Sequence, residues 1–346
     1  MKKIITFFVV LMSIVSNAQL TDVVSSLNDP TSIAIYGDDI YIAGLRTVSK
    51  INLLDANPTP VDILTDISNG AHLLVDGNDL YIGLFAGGKV IKIDLSSNDT
   101  TPVDVVTDVY GTNGLIIKDN FLYIAESTQD KISRVDLSQS NPTAVDFLTD
   151  LDFPNGLFIN EDDLYFIQTG ANKISKVDLT QVNPTPVDVI TDLDGVSLGL
   201  IIIEDELYFS YYGEDKIAKI NINDANPWIT DVVTNVNGPA QLLYEDSELF
   251  VVVRFDNKIA KIDNATLSIQ KTRSNSQISL YPNPSPNTIS VLGLQEPLIG
   301  TLYATTGSKM AEVLVQQNSI IDLKNLQAGI YYLVFENGWT RKIIKK

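Results

Sequence analysis

The stretch Asn113-Gly114-Leu115-Ile116-Ile117-Lys118-Asp119-Asn120-Phe121-Leu122-Tyr123-Ile124-Ala125-Glu126 decides the fold. Two apolar runs flank the turn Lys118-Asp119-Asn120, and two more follow at 132–137 and 145–149, after turns at 127–130 and 138–142. Short runs of Val, Ile, Leu and Tyr between Asp, Asn, Gly and Pro clusters are strand-and-turn chemistry. The unit therefore predicts four antiparallel strands.

The unit recurs. Its central aromatic anchor returns as Tyr41, Tyr81, Tyr123, Tyr165, Tyr208 and Phe250, spaced by 40, 42, 42, 43 and 42 residues. Eight residues before each anchor stands an apolar residue: Ile33, Leu73, Leu115, Leu157, Leu200 or Leu242. A basic-apolar pair follows each, from Lys50-Ile51 to Lys261-Ile262. Four strands in about 40–45 residues is the spacing of a propeller blade, and six blades close a ring. The predicted fold class is all-β, a six-bladed β-propeller followed by a small C-terminal β-sandwich domain.

One displacement argues for closure. The outer-strand text Val-Asp-x-x-Thr-Asp follows copies one to four at 61–66, 103–108, 145–150 and 187–192, and a variant follows copy five at 230–235. None follows copy six, yet Leu20-Thr21-Asp22-Val23-Val24-Ser25-Ser26-Leu27 precedes copy one. Residues 20–27 are expected to complete blade six and remove the open edge. By the usual propeller course, the outer-to-inner connections and the turns after each anchor share one face. The acidic hairpins and Asn-Pro loops share the other.

The phrases Asn113-Gly114-Leu115-Ile116-Ile117, Leu122-Tyr123-Ile124-Ala125-Glu126 and Lys131-Ile132-Ser133-Arg134-Val135-Asp136 resemble NHL-repeat and gluconolactonase-like propellers, over residues 19–270. The likeness implies a blade type. It also leaves open a metal-dependent lactonase-like hydrolase, in which relatives hold a divalent cation at the axis with carboxylate and Asn oxygens.

The ends carry separate signals. Lys2 and Lys3 precede a short apolar run and Ser16-Asn17-Ala18, the pattern of a signal peptide over residues 1–18. The run is too short to span a bilayer, so no membrane span is expected in the mature chain. Repetition stops before a polar linker at 271–277. Residues 278–346 resemble the C-terminal sorting domain of the type IX secretion system of Bacteroidetes, carried by Tyr281-Pro282-Asn283-Pro284, Gly329 and Tyr331 in the closing strand, Gly338, and the basic end at Lys342. This implies the type IX secretion machinery as a partner and a secreted or cell-surface location.

Composition excludes several chemistries. The chain has no cysteine and one histidine, His72, so disulfides, thiolate metal sites, a cysteine nucleophile and two-histidine metal sites are out. Its net charge is −19, although residues 271–346 hold eight Lys/Arg against four Asp/Glu. The propeller body is thus strongly acidic, and nucleic acid is not an expected partner. His72 lacks a second histidine as acid–base partner and reads as structural.

Candidate site residues lie on the loop face. Two residues before the aligned apolar position stand Thr31, Ala71, Asn113, Asn155, Leu198 and Ala240, an expected axial ring. Asn113 and Asn155 have no carboxylate beside them, so no cofactor is evident, with Ca²⁺ left open and the metal at the axis unassigned. Three and four residues after the anchors the blades diverge, giving Glu126, Gln168, Tyr211, Tyr212, Phe85 and Arg254 as an expected polar-aromatic ligand surface, with Glu126 read as an exposed loop carboxylate. No catalytic residue is assigned. The expected function is a binding or interaction module for a protein, peptide or glycan, with the hydrolase and a structural envelope component as alternatives.

Overall fold

The computed structural model describes residues 20–68, 70–97, 99–262, 279–292, 298–304, 308–316, 319–335 and 340–346. The expected signal peptide, the linker and Gly338 lie outside these residues. The chain divides into two compact units, 1–264 and 265–346.

The first unit is a six-bladed β-propeller, each blade a four-stranded antiparallel sheet. Blade three is Thr112–Lys118, Phe121–Glu126, Lys131–Asp136 and Ala144–Leu148, running from the innermost strand outwards. Blade six is Pro239–Glu245, Glu248–Val253, Lys258–Ile262 and, as its outer strand, Thr21–Val24 from the far end of the sequence. That strand pairs antiparallel, Thr21 opposite Lys261 and Asp22 opposite Ala260.

The repeated residues do the same physical work in every blade. The last residue of the outer-strand text adopts left-handed backbone at Asp66, Asp108, Asp150, Asp192 and Asn235, with φ of 58°, 63°, 58°, 62° and 61°. Asp and Asn tolerate that region because their short side chains bond locally. Ser26 holds the same place after the N-terminal strand, at φ 63°. The next residue sends its N–H back to the preceding turn, as in Leu151 N to Asp130 O and Leu27 N to Asn257 O, both 2.9 Å. Outer-strand aspartates pair with third-strand lysines at Lys89–Asp104, Lys131–Asp146, Lys173–Asp188 and Lys216–Asp231, and Lys258–Asp22 repeats the pair at 2.8 Å in blade six. Residues 20–27 thus reproduce the left-handed end, the return hydrogen bond and the lysine–aspartate pair of the other outer strands.

A second ladder explains the basic-apolar pairs. Lys50, Lys92, Lys176, Lys219 and Lys261 each bind the acid that opens their blade's second strand, Asp39, Asp79, Asp163, Glu206 or Glu248. Blade three has Phe121 at that place instead, and Arg134 lies over its ring at 4.7 Å. A guanidinium stacks where a carboxylate is missing. Between blades, fully buried residues such as Ile33, Leu73, Leu115, Phe166 and Phe209 form the core.

The second unit packs a three-stranded sheet, Ser279–Tyr281, Thr288–Leu292 and Ile320–Asp322, with a four-stranded one, Lys309–Val315, Leu298–Ala304, Gly329–Phe335 and Thr340–Lys345. Ile289, Val291, Leu302, Leu333, Phe335 and Ile343 fill the space between them. The Tyr-Pro-Asn-Pro text has a clear structural role. Asn283 accepts from Ile344 N at 2.8 Å and donates to Lys342 O at 2.7 Å, so one amide pairs with the final strand as a backbone unit would. Tyr331 is buried and donates its hydroxyl to Gln327 O at 2.9 Å.

Candidate functional site

Every inner strand enters the ring from the same face, so the residues that start these strands converge on the axis. There they line a cavity of about 460 Å³, with Thr31, Asn113, Asn155, Leu198 and Ala240 contributed by five different blades. These are members of the expected axial ring. Leu45, Phe85, Phe153, Thr169, Tyr212 and Arg254 form the upper wall, together with Asp29 and the segment Gly195-Val196-Ser197. Five of the eight expected ligand residues, Asn113, Asn155, Phe85, Tyr212 and Arg254, therefore meet in one cavity.

The polar groups here are mostly neutral. Asn113 Nδ2 donates to Ser127 Oγ at 3.0 Å, and Asn155 Nδ2 to Thr169 Oγ1 at 2.7 Å. Asn155 is only 3% exposed, and its Oδ1 has no partner. A buried carbonyl without a donor costs about 1–3 kcal/mol, and this oxygen is closed to solvent behind the cavity wall. Arg254 grips Asp29 in a bidentate pair, 2.6 Å and 2.9 Å, across the seam between blades six and one. That contact holds the Asp29 carboxyl below its ordinary pKa and neutralises the cavity's single carboxylate. Among the described residues no group of three or more His, Cys, Asp or Glu is arranged to hold a metal ion.

One residue deeper, the axis is closed asymmetrically. Blades four and five have Gly156 and Gly199, and a Cβ at Gly156 would lie 2.4 Å from Leu198 O. On the other side Ser32, His72 and Gln241 fill the space. Gln241 Oε1 accepts from Ser32 Oγ at 2.8 Å and Ile33 N at 2.5 Å, while Ser32 Oγ accepts from Leu73 N at 2.8 Å. His72 Nδ1 accepts from Leu115 N at 3.3 Å, with Gln241 Nε2 at 3.3 Å from the other ring nitrogen. Burial pushes His72 down to about 4. It is a neutral brace for the cavity floor.

Three expected ligand residues point elsewhere. Glu126 is 1% exposed, which corrects its reading as an exposed loop carboxylate. It accepts from Tyr110 N at 3.1 Å and from Ser133 Oγ, with Lys131 at 3.6 Å. Gln168 does the same in blade four, accepting from Asp152 N at 3.2 Å and donating to Ser175 Oγ at 2.9 Å. Both clamp the incoming connection to the third strand. Tyr211 is buried between blades four and five, with Lys216 over its ring. The divergence at these positions is a choice between polar and apolar clamps. Leu84 with Ile91, and Val253 with Ala260, are the apolar version, seven residues apart like Glu126 and Ser133. That pairing was available in the sequence.

Phe153 is the residue that sequence reasoning missed. Its φ is +50°, while the repeat-equivalent residues Gly111, Gly195 and Gly238 have φ of 68°, 83° and 63°. Asp29, also equivalent, has φ 47°. A bulky side chain in left-handed backbone is a true outlier. Three of the other blades meet this conformation with glycine and blade one with aspartate, whereas blade four carries a phenyl ring into the cavity wall.

Comparisons with known proteins agree with this architecture. Residues 279–346 match the family described as secretion system C-terminal sorting domain. That domain directs the chain through type IX secretion to the cell surface or extracellular space. The propeller is similar to an auxiliary nutrient binding protein from Bacteroides ovatus, at TM-score 0.60 and 14% identity over 71% of this chain and 76% of that one. A second auxiliary nutrient binding protein, from Bacteroides thetaiotaomicron, matches at TM-score 0.56 and 12% identity over 68% and 69%. Virginiamycin B lyase from Staphylococcus aureus matches at TM-score 0.50 and 17% identity over 71% and 98%. At these identities the likeness shows the fold alone. Among curated proteins none matches the chain.

Proposed function

We propose that this chain is an exported binding module whose ligand enters the axial cavity from the loop face, and that an export signal in residues 1–18 is removed on the way. The single observation that carries the reading is Phe153, held in a backbone conformation its scaffold equivalents fill mainly with glycine, its ring in the cavity wall. Strain of this kind costs about 1–3 kcal/mol and clusters at functional sites. A purely structural propeller has no use for it.

The donor set argues against metal-dependent hydrolysis. Ca²⁺ needs several oxygens, with charge among them, and Asp29 is already neutralised by Arg254. Amides, hydroxyls and aromatic faces instead form a cavity that orients a ligand without transforming it. The test is thermal unfolding of the mature chain against a panel of peptides and neutral glycans, alongside Phe153→Gly and Asn155→Ala. A ligand that raises the melting temperature of the parent but of neither variant supports the assignment. A ligand shift that persists in both variants contradicts it.

A further inference from the structure

The cavity mouth is surrounded by two further layers. Next to it lie exposed apolar side chains on the same face: Leu45, Tyr110, Phe153 and Phe255. They are held rather than loose. The Phe255 ring packs on Gly238, where a Cβ would meet it at 2.6 Å, and lies 5.2 Å from the Tyr212 ring. The Tyr110 ring packs in the same way on Gly88, again at 2.6 Å from a Cβ. Outside this collar stands acid. The outer strands end on this face at the exposed residues Asp108, Asp150 and Asp192, with Asp66 paired to Arg46 at 3.3 Å, and Asp108 and Asp150 lead directly into the connections that carry Tyr110 and Phe153.

A polar floor, an apolar collar and an acidic rim form three concentric zones of different chemistry. Anionic ligands are repelled by the rim and by the body's charge. A neutral glycan can donate hydroxyl hydrogen bonds to the carboxylates but draws no charge attraction from the rim. A peptide with an apolar side chain between basic ones matches the outer zones, because the apolar side chain fits the collar and cavity and the basic ones face the carboxylates. Resting on the assignment of the cavity as the binding site, we infer that the loop face takes a cationic peptide segment. One apolar side chain seats in the axial cavity, and flanking Lys or Arg side chains reach the surrounding carboxylates.

The rim can be neutralised without disturbing the fold, because blade five already has Asn235 at the equivalent left-handed position. The experiment measures fluorescence anisotropy of labelled, end-blocked heptapeptides with the mature chain. The centre is Leu or Phe and the flanks are Lys, Gly or Glu, with neutral oligosaccharides as competitors. The Lys-flanked peptides should bind, and the Gly-flanked ones about tenfold more weakly, since exposed charge pairs each add a little and steer association. The triple variant D108N/D150N/D192N should weaken Lys-flanked binding about fivefold and flatten its salt dependence. Phe153→Gly should abolish binding. Gly-flanked peptides or neutral oligosaccharides that bind as tightly, and lose binding in Phe153→Gly, would overturn the ligand class and leave the axial site standing. Binding of no probe, or binding untouched by Phe153→Gly, would overturn both.

Discussion

Replacing Glu126 tests whether the wall of the propeller is read correctly. Its carboxylate is sealed from water and satisfies Tyr110 N and Ser133 Oγ, on two different segments of blade three. Glu126→Ala leaves the buried Ser133 Oγ and the part-buried Tyr110 N without an acceptor, at about 1–3 kcal/mol each, and adds a small void worth about 1 kcal/mol. Lys131 keeps its 2.7 Å contact to Asp146 and contributes little to the loss. The expected cost is about 4 kcal/mol, and at about 3 °C per kcal/mol for a unit this size the melting temperature falls about 12 °C. Glu126→Gln should cost about 1 kcal/mol or less, because Gln168 makes the corresponding bonds in blade four. Thermal unfolding followed by circular dichroism reads both. An alanine variant within about 2 °C of the parent would refute the buried clamp. A glutamine variant as unstable as alanine would refute its equivalence with Gln168.

Two further outcomes follow from the closure and the floor. Deleting residues 20–27 removes buried Val24, the Asp22–Lys258 pair and the outer strand of blade six; it should lower propeller stability by several kcal/mol, on the order of 5, and a truncation melting at the parent temperature would contradict the closure. His72 is held near 4 when folded and returns to 6.5 when unfolded. Its contribution is therefore complete above pH 6.5 and lost as pH falls through 4, about 3 kcal/mol in all. The fall in unfolding free energy between pH 7 and pH 4.5 should be steeper in the parent than in His72→Gln, and equal slopes would sink this account of the ring.

The ring was legible because each blade meets nearly identical neighbours, so the same residues return at the same offsets. Closure was legible from one missing segment and one surplus segment. The axial positions followed from the same alignment, since Asn113 and Asn155 share an offset from Leu115 and Leu157. Glu126 was misread for lack of an alternation count: Leu122, Ile124 and Glu126 point the same way along one strand, towards the third-strand Ser133. Phe153 was missed because it had to be compared with Gly111, Gly195 and Gly238 rather than with its own neighbours. The ligand is not legible from repetition, because a ligand selects departures from the repeat, and these are few.

The most direct test of the central claim is hydrogen–deuterium exchange of the mature chain with and without the tightest-binding peptide of the heptapeptide set. Ligand-dependent protection should be confined to the loop face, at the backbone around Asp29, Phe85, Phe153, Gly195, Tyr212 and Arg254. Protection on the opposite face, in the loops that carry Pro142, Pro184 and Pro227, with none around Phe153, would contradict it.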